Sequence, residues 1–103
     1  MKLVYTDEAI EDLQRLRNFI AVNNPSAASR IAQELVSKIE LLPQFPKLGT
    51  PVEMAPVPES VRDMVFGKYI VRYSVHTTMI IILRVWHRRE GERSSKNETA
   101  PTQ

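Results

Sequence analysis

The sequence predicts an α+β domain of order β-α-α-β-β-β, with a helical hairpin packed on one face of a small, mainly antiparallel sheet. Three observations carry this. Two consecutive segments repeat their apolar residues at helical spacing and are split by Asn23-Asn24-Pro25-Ser26. Three later segments are apolar or alternating and are separated by hairpin-sized gaps. A short alternating segment opens the chain.

Met1–Tyr5 sets Leu3 and Tyr5 against Lys2 and Val4, a strand signal. Thr6 closes it and supplies an N-cap hydroxyl, followed by Asp7 and Glu8 in the first turn, where the helix dipole favours negative charge. Ala9, Leu13, Leu16 and Ile20, widened by Ile10 and Phe19, form an amphipathic stripe to about Val22. Asn24 is then placed to cap a second helix, with Pro25 at its first position, where a missing N–H costs nothing. Ala28, Ile31, Ala32, Leu35, Ile39 and Leu42 carry that helix to about Leu42, before Pro43. So short a connection makes the pair an antiparallel hairpin.

Residues 43–60 hold five of the seven prolines, so an irregular connection with no regular element is expected, with Phe45 and Leu48 tucked beneath it. Strands are expected at Val61–Phe66, Tyr69–Val75 and Met79–Trp86, joined by Gly67-Lys68 and His76-Thr77-Thr78 as an antiparallel meander. The last is apolar on both faces from Met79 to Leu83 and reads as a central strand, with the N-terminal strand joining at an edge. Residues 1–90 form a single domain on this reading. The polar segment 91–103, GERSSKNETAPTQ, reads as a disordered tail.

A chain of 103 residues with 43% hydrophobic and 25% charged residues suits one globular domain. It has no cysteine, which excludes disulfides, thiolate metal sites and cysteine nucleophiles; with only two histidines, neither a metal nor a cofactor is expected. The apolar run Met79–Leu83 is far short of the ~20 residues that span a bilayer, and the N-terminal segment is rich in carboxylates, so no membrane association and a cytoplasmic location are expected.

Charge is uneven. Residues 1–60 hold six Lys/Arg against eight Asp/Glu, whereas residues 61–103 hold eight against four. A basic C-terminal half is expected to meet nucleic acid or an acidic protein. Strict alternation places Leu83, Val85 and His87 on one face of the last strand and Ile82, Arg84, Trp86 and Arg88 on the other. Tyr69, Val71, Tyr73 and Val75 share a face, opposite Ile70, Arg72 and Ser74. Arg62, Lys68, Arg72, Arg84, Arg88 and Arg89 are thus candidate anion-binding groups, since a guanidinium fork grips phosphate or carboxylate through two hydrogen bonds. Trp86 is a candidate anchor, and equally a residue that seals the sheet rim. His87 is a candidate proton acceptor, because neighbouring arginines disfavour a further positive charge on its ring. Arg62 beside Asp63, and Arg88-Arg89 beside Glu90, read equally well as ordinary surface pairs.

Several pieces together resemble the RelE/ParE toxin superfamily. Asp7-Glu8-Ala9, Asp12-Leu13 and Asn24-Pro25-Ser26-Ala27-Ala28 resemble its opening; Leu42-Pro43, Phe45-Pro46 and Gly49-Thr50-Pro51 its proline-rich connection. Val61-Arg62, Tyr69-Ile70-Val71-Arg72-Tyr73 and Val85-Trp86-His87-Arg88-Arg89-Glu90 resemble its closing strands, so that the likeness covers residues 1–90.

The resemblance implies a cytoplasmic bacterial toxin of a type II toxin–antitoxin module, in hetero-oligomeric complex with a neutralising antitoxin. ParE-like members inhibit DNA gyrase and block replication, whereas RelE-like members cut messenger RNA on the ribosome. Cutting RNA through its 2′-hydroxyl needs a base and clustered cations. On the nuclease alternative Arg62, Lys68 and Arg84 would supply charge and His87 the base. The family's nucleases often carry a further tyrosine or histidine near the C-terminus, and none follows His87 here. The Asn-Pro-Ser-Ala-Ala hairpin with Trp-His-Arg-Arg looks more like the ParE class. Arg62, Arg72, Arg84, Trp86, His87, Arg88 and Arg89 are then the expected contacts to gyrase or antitoxin.

Overall fold

A computed structural model describes residues 1–53, 57 and 60–88. The expected tail at 91–103, together with Arg89 and Glu90, lies outside the described residues. The elements are β1 (Lys2–Tyr5), α1 (Asp7–Asn23), α2 (Pro25–Ile39), β2 (Thr50–Pro51), β3 (Val61–Phe66), β4 (Tyr69–Val75) and β5 (Met79–His87). They form one mixed five-stranded sheet of order β1-β5-β4-β3-β2. β1 is an edge strand, parallel to β5; the other pairings are antiparallel. The apolar run of β5 does make it central, between β1 and β4.

Thr6 caps α1 as its position implies: its hydroxyl accepts from the Ala9 amide at 3.0 Å and donates to the Leu83 carbonyl at 2.9 Å, so one side chain joins helix and sheet. Thr6→Ala removes both bonds and is expected to cost about 1–2 kcal/mol, read as a lowered thermal midpoint. Asn24 stands at the N-cap of α2 without a capping bond, its carboxamide oxygen instead accepting from the Ser26 hydroxyl. The second helix ends at Ile39, three residues before the expected Leu42, yet Leu42 is fully buried in the turn that follows.

Cross-strand pairing sorts the sheet into rows. Toward the helices lie Phe66–Tyr69–His87, Met64–Val71–Val85 and Arg62–Tyr73–Ile82. With Ala9, Leu16, Leu35, Ile39, Leu42 and Ile80, the apolar members of the last two rows make up the core. The opposite face carries Val65–Ile70–Trp86, then Asp63–Arg72–Arg84, then Val61–Ser74–Ile81 with Val4. Strict alternation fails on β5: the register shifts so that Arg72 faces Arg84 while Tyr73 faces Ile82, leaving Leu83 as an extra residue. Ile82 and Val85 consequently share the helix face, both fully buried, instead of opposing one another.

Residues 43–60 depart from expectation in two ways. Thr50–Pro51 forms a short strand on β3, paired with Asp63 and Arg62, so one regular element does survive the prolines. A proline is tolerated there because β2 is an edge. Phe45 and Leu48 are half-exposed, not tucked away. What anchors the segment is polar. The Tyr73 hydroxyl donates to the Pro46 carbonyl at 2.7 Å and accepts from the Gly49 amide at 2.8 Å, while Arg62 Nη1 donates to the Gly49 carbonyl at 2.7 Å. Gly67, at φ 58°, makes the tight β3–β4 turn that a side chain would strain.

Candidate functional site

Beyond Ile82, β5 has no strand on its β1 side, because β1 ends at Tyr5. Side chains of α1 take the strand's place. The Thr6 hydroxyl meets the Leu83 carbonyl, Asp12 Oδ2 accepts from the Val85 amide at 2.9 Å, and Arg15 Nη2 lies 3.5 Å from the Val85 carbonyl. Asp12 is 1% exposed and also holds two guanidiniums. Arg84 binds it through two bonds, Nε–Oδ2 at 2.8 Å and Nη2–Oδ1 at 3.1 Å, and Arg15 Nη1 reaches Oδ1 at 2.7 Å. Burial by itself raises the Asp12 pKa, but the Arg84, Val85 and Arg15 donors outweigh it and hold the carboxyl below its ordinary range. The same bonds push the Arg84 guanidinium up, so the pair stays ionised.

Beside this cluster Arg72 grips Asp63, Nε–Oδ1 at 2.8 Å and Nη2–Oδ2 at 3.0 Å, and its guanidinium lies 5.2 Å from the centroid of the Trp86 ring. Hydrogen bonding to Asp63 raises the Arg72 pKa against its partial burial. Fork, carboxylate and indole thus fix one another on the outer sheet face. Arg84, directly across from Arg72, keeps 55% of its side chain exposed while bound to Asp12.

The remaining candidates are scattered. Arg62 is 5% exposed on the helix face and holds the Gly49 carbonyl. His87, also on that face, packs edge-on to Tyr69 with ring centroids 5.2 Å apart, and against Phe19 at 5.8 Å. Burial pushes the Tyr69 phenol above its ordinary range, so it stays neutral. Lys68 and Arg88 are exposed at the end of the sheet, where the Arg88 amide donates to the Lys68 carbonyl. Arg89 lies outside the described residues. Arg62 aligns with Tyr73 and His87 with Tyr69, so they stand four residues apart along the strands and two strands apart across them. That separation is roughly 16 Å, and the four residues of the nuclease alternative are not gathered around one point. Among the described residues no cluster of three or more His, Asp and Glu is placed to hold a metal.

Sequence reasoning missed Asp12, Arg15 and Tyr73, and it set Asp63 beside Arg62 where the structure gives it to Arg72. Asp12 did leave a signal, since it falls in phase with Ala9 and Leu16 on the buried side of α1. A carboxylate on a buried stripe must find donors, and those donors prove to be Arg84, Arg15 and the Val85 amide.

Two helices packed on one face of a mixed five-stranded sheet make an α+β fold that this chain shares with solved ParE and RelE toxins. The structure superposes on a chain from the chromosomal ParDE system of P. aeruginosa with a TM-score of 0.73 and 26% identity, covering 84% of this chain and 95% of that one. The RelBE2 toxin–antitoxin complex of Mycobacterium tuberculosis shares the fold, with a TM-score of 0.62, 24% identity, and 84% and 96% coverage. Toxin RelE2 of Caulobacter vibrioides is 31% identical over 86 residues, which are 84% of this chain and 93% of that protein. Residues 3–91 match the family described as ParE toxin of the type II toxin–antitoxin system parDE, and the chain belongs to that family. No helix among the described residues is long and apolar enough to cross a membrane.

Proposed function

We propose that this toxin acts in the ParE manner, arresting growth by binding DNA gyrase, and that a cognate antitoxin neutralises it. The observation that carries this is the internal use of the arginines. Stabilising a crowded phosphorane calls for converging, unneutralised cations around a base. Here Arg72 and Arg84 already hold Asp63 and Asp12, and Arg62 is turned into the fold beneath Gly49. The surface they leave on the outer sheet face suits protein contact. Match to the ParE family model and likeness to the P. aeruginosa ParDE chain support the same reading.

The helical layer suits the antitoxin. α1 and α2 leave between them an apolar groove of about 170 Å³, lined by Leu13, Leu16, Ile20, Ile31, Leu35 and Val36. An amphipathic helix of the antitoxin would lay its apolar side there, with an extended segment along a sheet edge and its carboxylates near the C-terminal arginines. The solved relatives include toxin–antitoxin complexes, which supports a partner of this kind.

The likeness to Toxin RelE2 keeps a ribosome-dependent messenger RNA nuclease as the second reading. One pair of assays separates them. Purified toxin is expected to inhibit gyrase supercoiling and accumulate cleaved DNA, while transcripts in a parallel translation reaction stay intact. Cut transcripts with unaffected supercoiling would reverse the assignment.

A further inference from the structure

Both helices pack on one side of the sheet, and the opposite side has a composition that solvent alone does not explain. Val65, Ile70 and Trp86 form one cross-strand row, with Val65 55% exposed at its outer end. Val61, Ile81 and Val4 form a second apolar row four residues further along β3 and five along β5, beside the buried Ser74. Between these apolar rows runs the charged row Asp63–Arg72–Arg84. Successive rows on one face are about 7 Å apart, so apolar contacts bracket the guanidiniums closely.

The charged row is built to stay still. Arg72 is fixed by two bonds to Asp63 and by the Trp86 ring, and Arg84 by two bonds to Asp12. Each guanidinium has five N–H donors and spends two on its carboxylate, leaving others to meet a partner's carbonyl or carboxylate. Because their orientation is set before binding, little side-chain entropy remains to be lost. Tryptophan and arginine are also the side chains that most often carry binding energy at protein interfaces.

Charge selects the partner. Nucleic acid is held chiefly by cations that displace its counterions. The central arginines here are each matched by a carboxylate of the chain, so a polyanion gains little from them. Exposed Lys68 and Arg88 stand at the end of the sheet beside the Trp86 row and give the rim a positive edge. The complement is apolar at its centre, offers hydrogen-bond acceptors, and is acidic at one margin.

We propose that this outer sheet face is the surface by which the toxin grips its target, docking a protein segment whose apolar side chains are flanked by carboxylates. The proposal deepens the gyrase reading and rests on it for the choice of probe.

Because the chain has no cysteine, Val65→Cys gives a unique attachment point for an environment-sensitive dye. Purified gyrase is expected to shift the dye's emission, and a single-stranded RNA is not. In unlabelled toxin, Val65→Glu and Lys68→Glu are each expected to raise the half-inhibitory concentration for supercoiling about tenfold or more. Both sites are exposed, so the thermal midpoints should stay close to wild type. Val22→Glu, 84% exposed on the helical hairpin, is expected to leave inhibition unchanged. Full inhibition by Val65→Glu, a dye that answers to RNA in place of gyrase, or emission that changes with toxin concentration alone would each overturn the proposal. If wild-type toxin leaves supercoiling untouched, the gyrase reading falls separately. Induced expression then decides for the face: growth arrest by Val65→Glu equal to wild type overturns it, and lost arrest in a folded variant sustains it.

Discussion

Asp12→Ala is expected to destabilise the toxin by about 2–4 kcal/mol, lowering the thermal midpoint by on the order of 15 °C. The buried carboxylate bonds the Val85 amide, which no strand reaches on that side, so its removal leaves a buried N–H without a partner. Arg84 and Arg15 lose their anchor as well, but both are substantially exposed and regain water, which keeps the loss below that of a fully buried ion pair. Asp12→Asn retains an acceptor for the amide and is expected to cost about half as much, whereas Arg84→Ala removes an exposed partner and costs about 1 kcal/mol or less. The ordering of these three midpoints tests whether the amide or the arginines dominate.

The same carboxylate sets a pH signature. Its folded pKa lies below that of the unfolded chain, so its contribution is fully present above the ordinary aspartate value of about 3.9 and is lost as pH falls through the folded value. The gap in midpoint between wild type and Asp12→Ala should therefore hold steady from neutral pH to about 4 and narrow below that. A gap that narrows near neutrality would show that the charge on Asp12 is not what the cluster depends on.

Gly49→Ala is expected to cost about 2–4 kcal/mol by a different route. A Cβ there would stand 2.7 Å from the Asp63 carbonyl oxygen, 2.8 Å from its carbon and 2.9 Å from Tyr73 Cε1. Two of those atoms are backbone of β3 and cannot swing aside, so the segment must lift. Lifting it breaks the bonds from Tyr73 and Arg62 and the short β2 pairing. Tyr73→Phe loses the two hydroxyl bonds without the clash and is expected to cost about 1–3 kcal/mol. Slow amide exchange at Gly49 should vanish in both variants, and a protected amide in Gly49→Ala would show that the segment accommodates the methyl.

Much of the fold was legible because the sequence states it locally. Thr6 with Asp7 and Glu8 marks a helix start whether or not the sheet is present, and Pro25 and Pro43 bracket the second helix for backbone reasons alone. The alternation of β4 holds from Ile70 to Tyr73, with Val71 and Tyr73 fully buried, and breaks only at Ser74, which is buried as well. The candidate site was less legible. Arg62, Arg72 and Arg84 look alike as a basic strand-borne set, and nothing in their neighbourhood says which acceptor each will meet. Asp12 is 72 residues from Arg84 in sequence, and the pairing exists only because β1 stops short and α1 crosses the vacated edge.

The amino-acid sequence by itself determined the two helices, the meander, the central place of the apolar strand and the family likeness, since propensity, capping and hydrophobic period act over a few residues. Tertiary structure alone decided the extra residue at Leu83, which puts Ile82 and Val85 on one face, and the pairing of Arg84 with Asp12 across the open edge of β5. It likewise decided that Arg72 and Arg84 are already matched with Asp63 and Asp12. The physical reason is that a charge settles with whichever distant partner folding brings within hydrogen-bond reach, and that distance is not written in any local pattern.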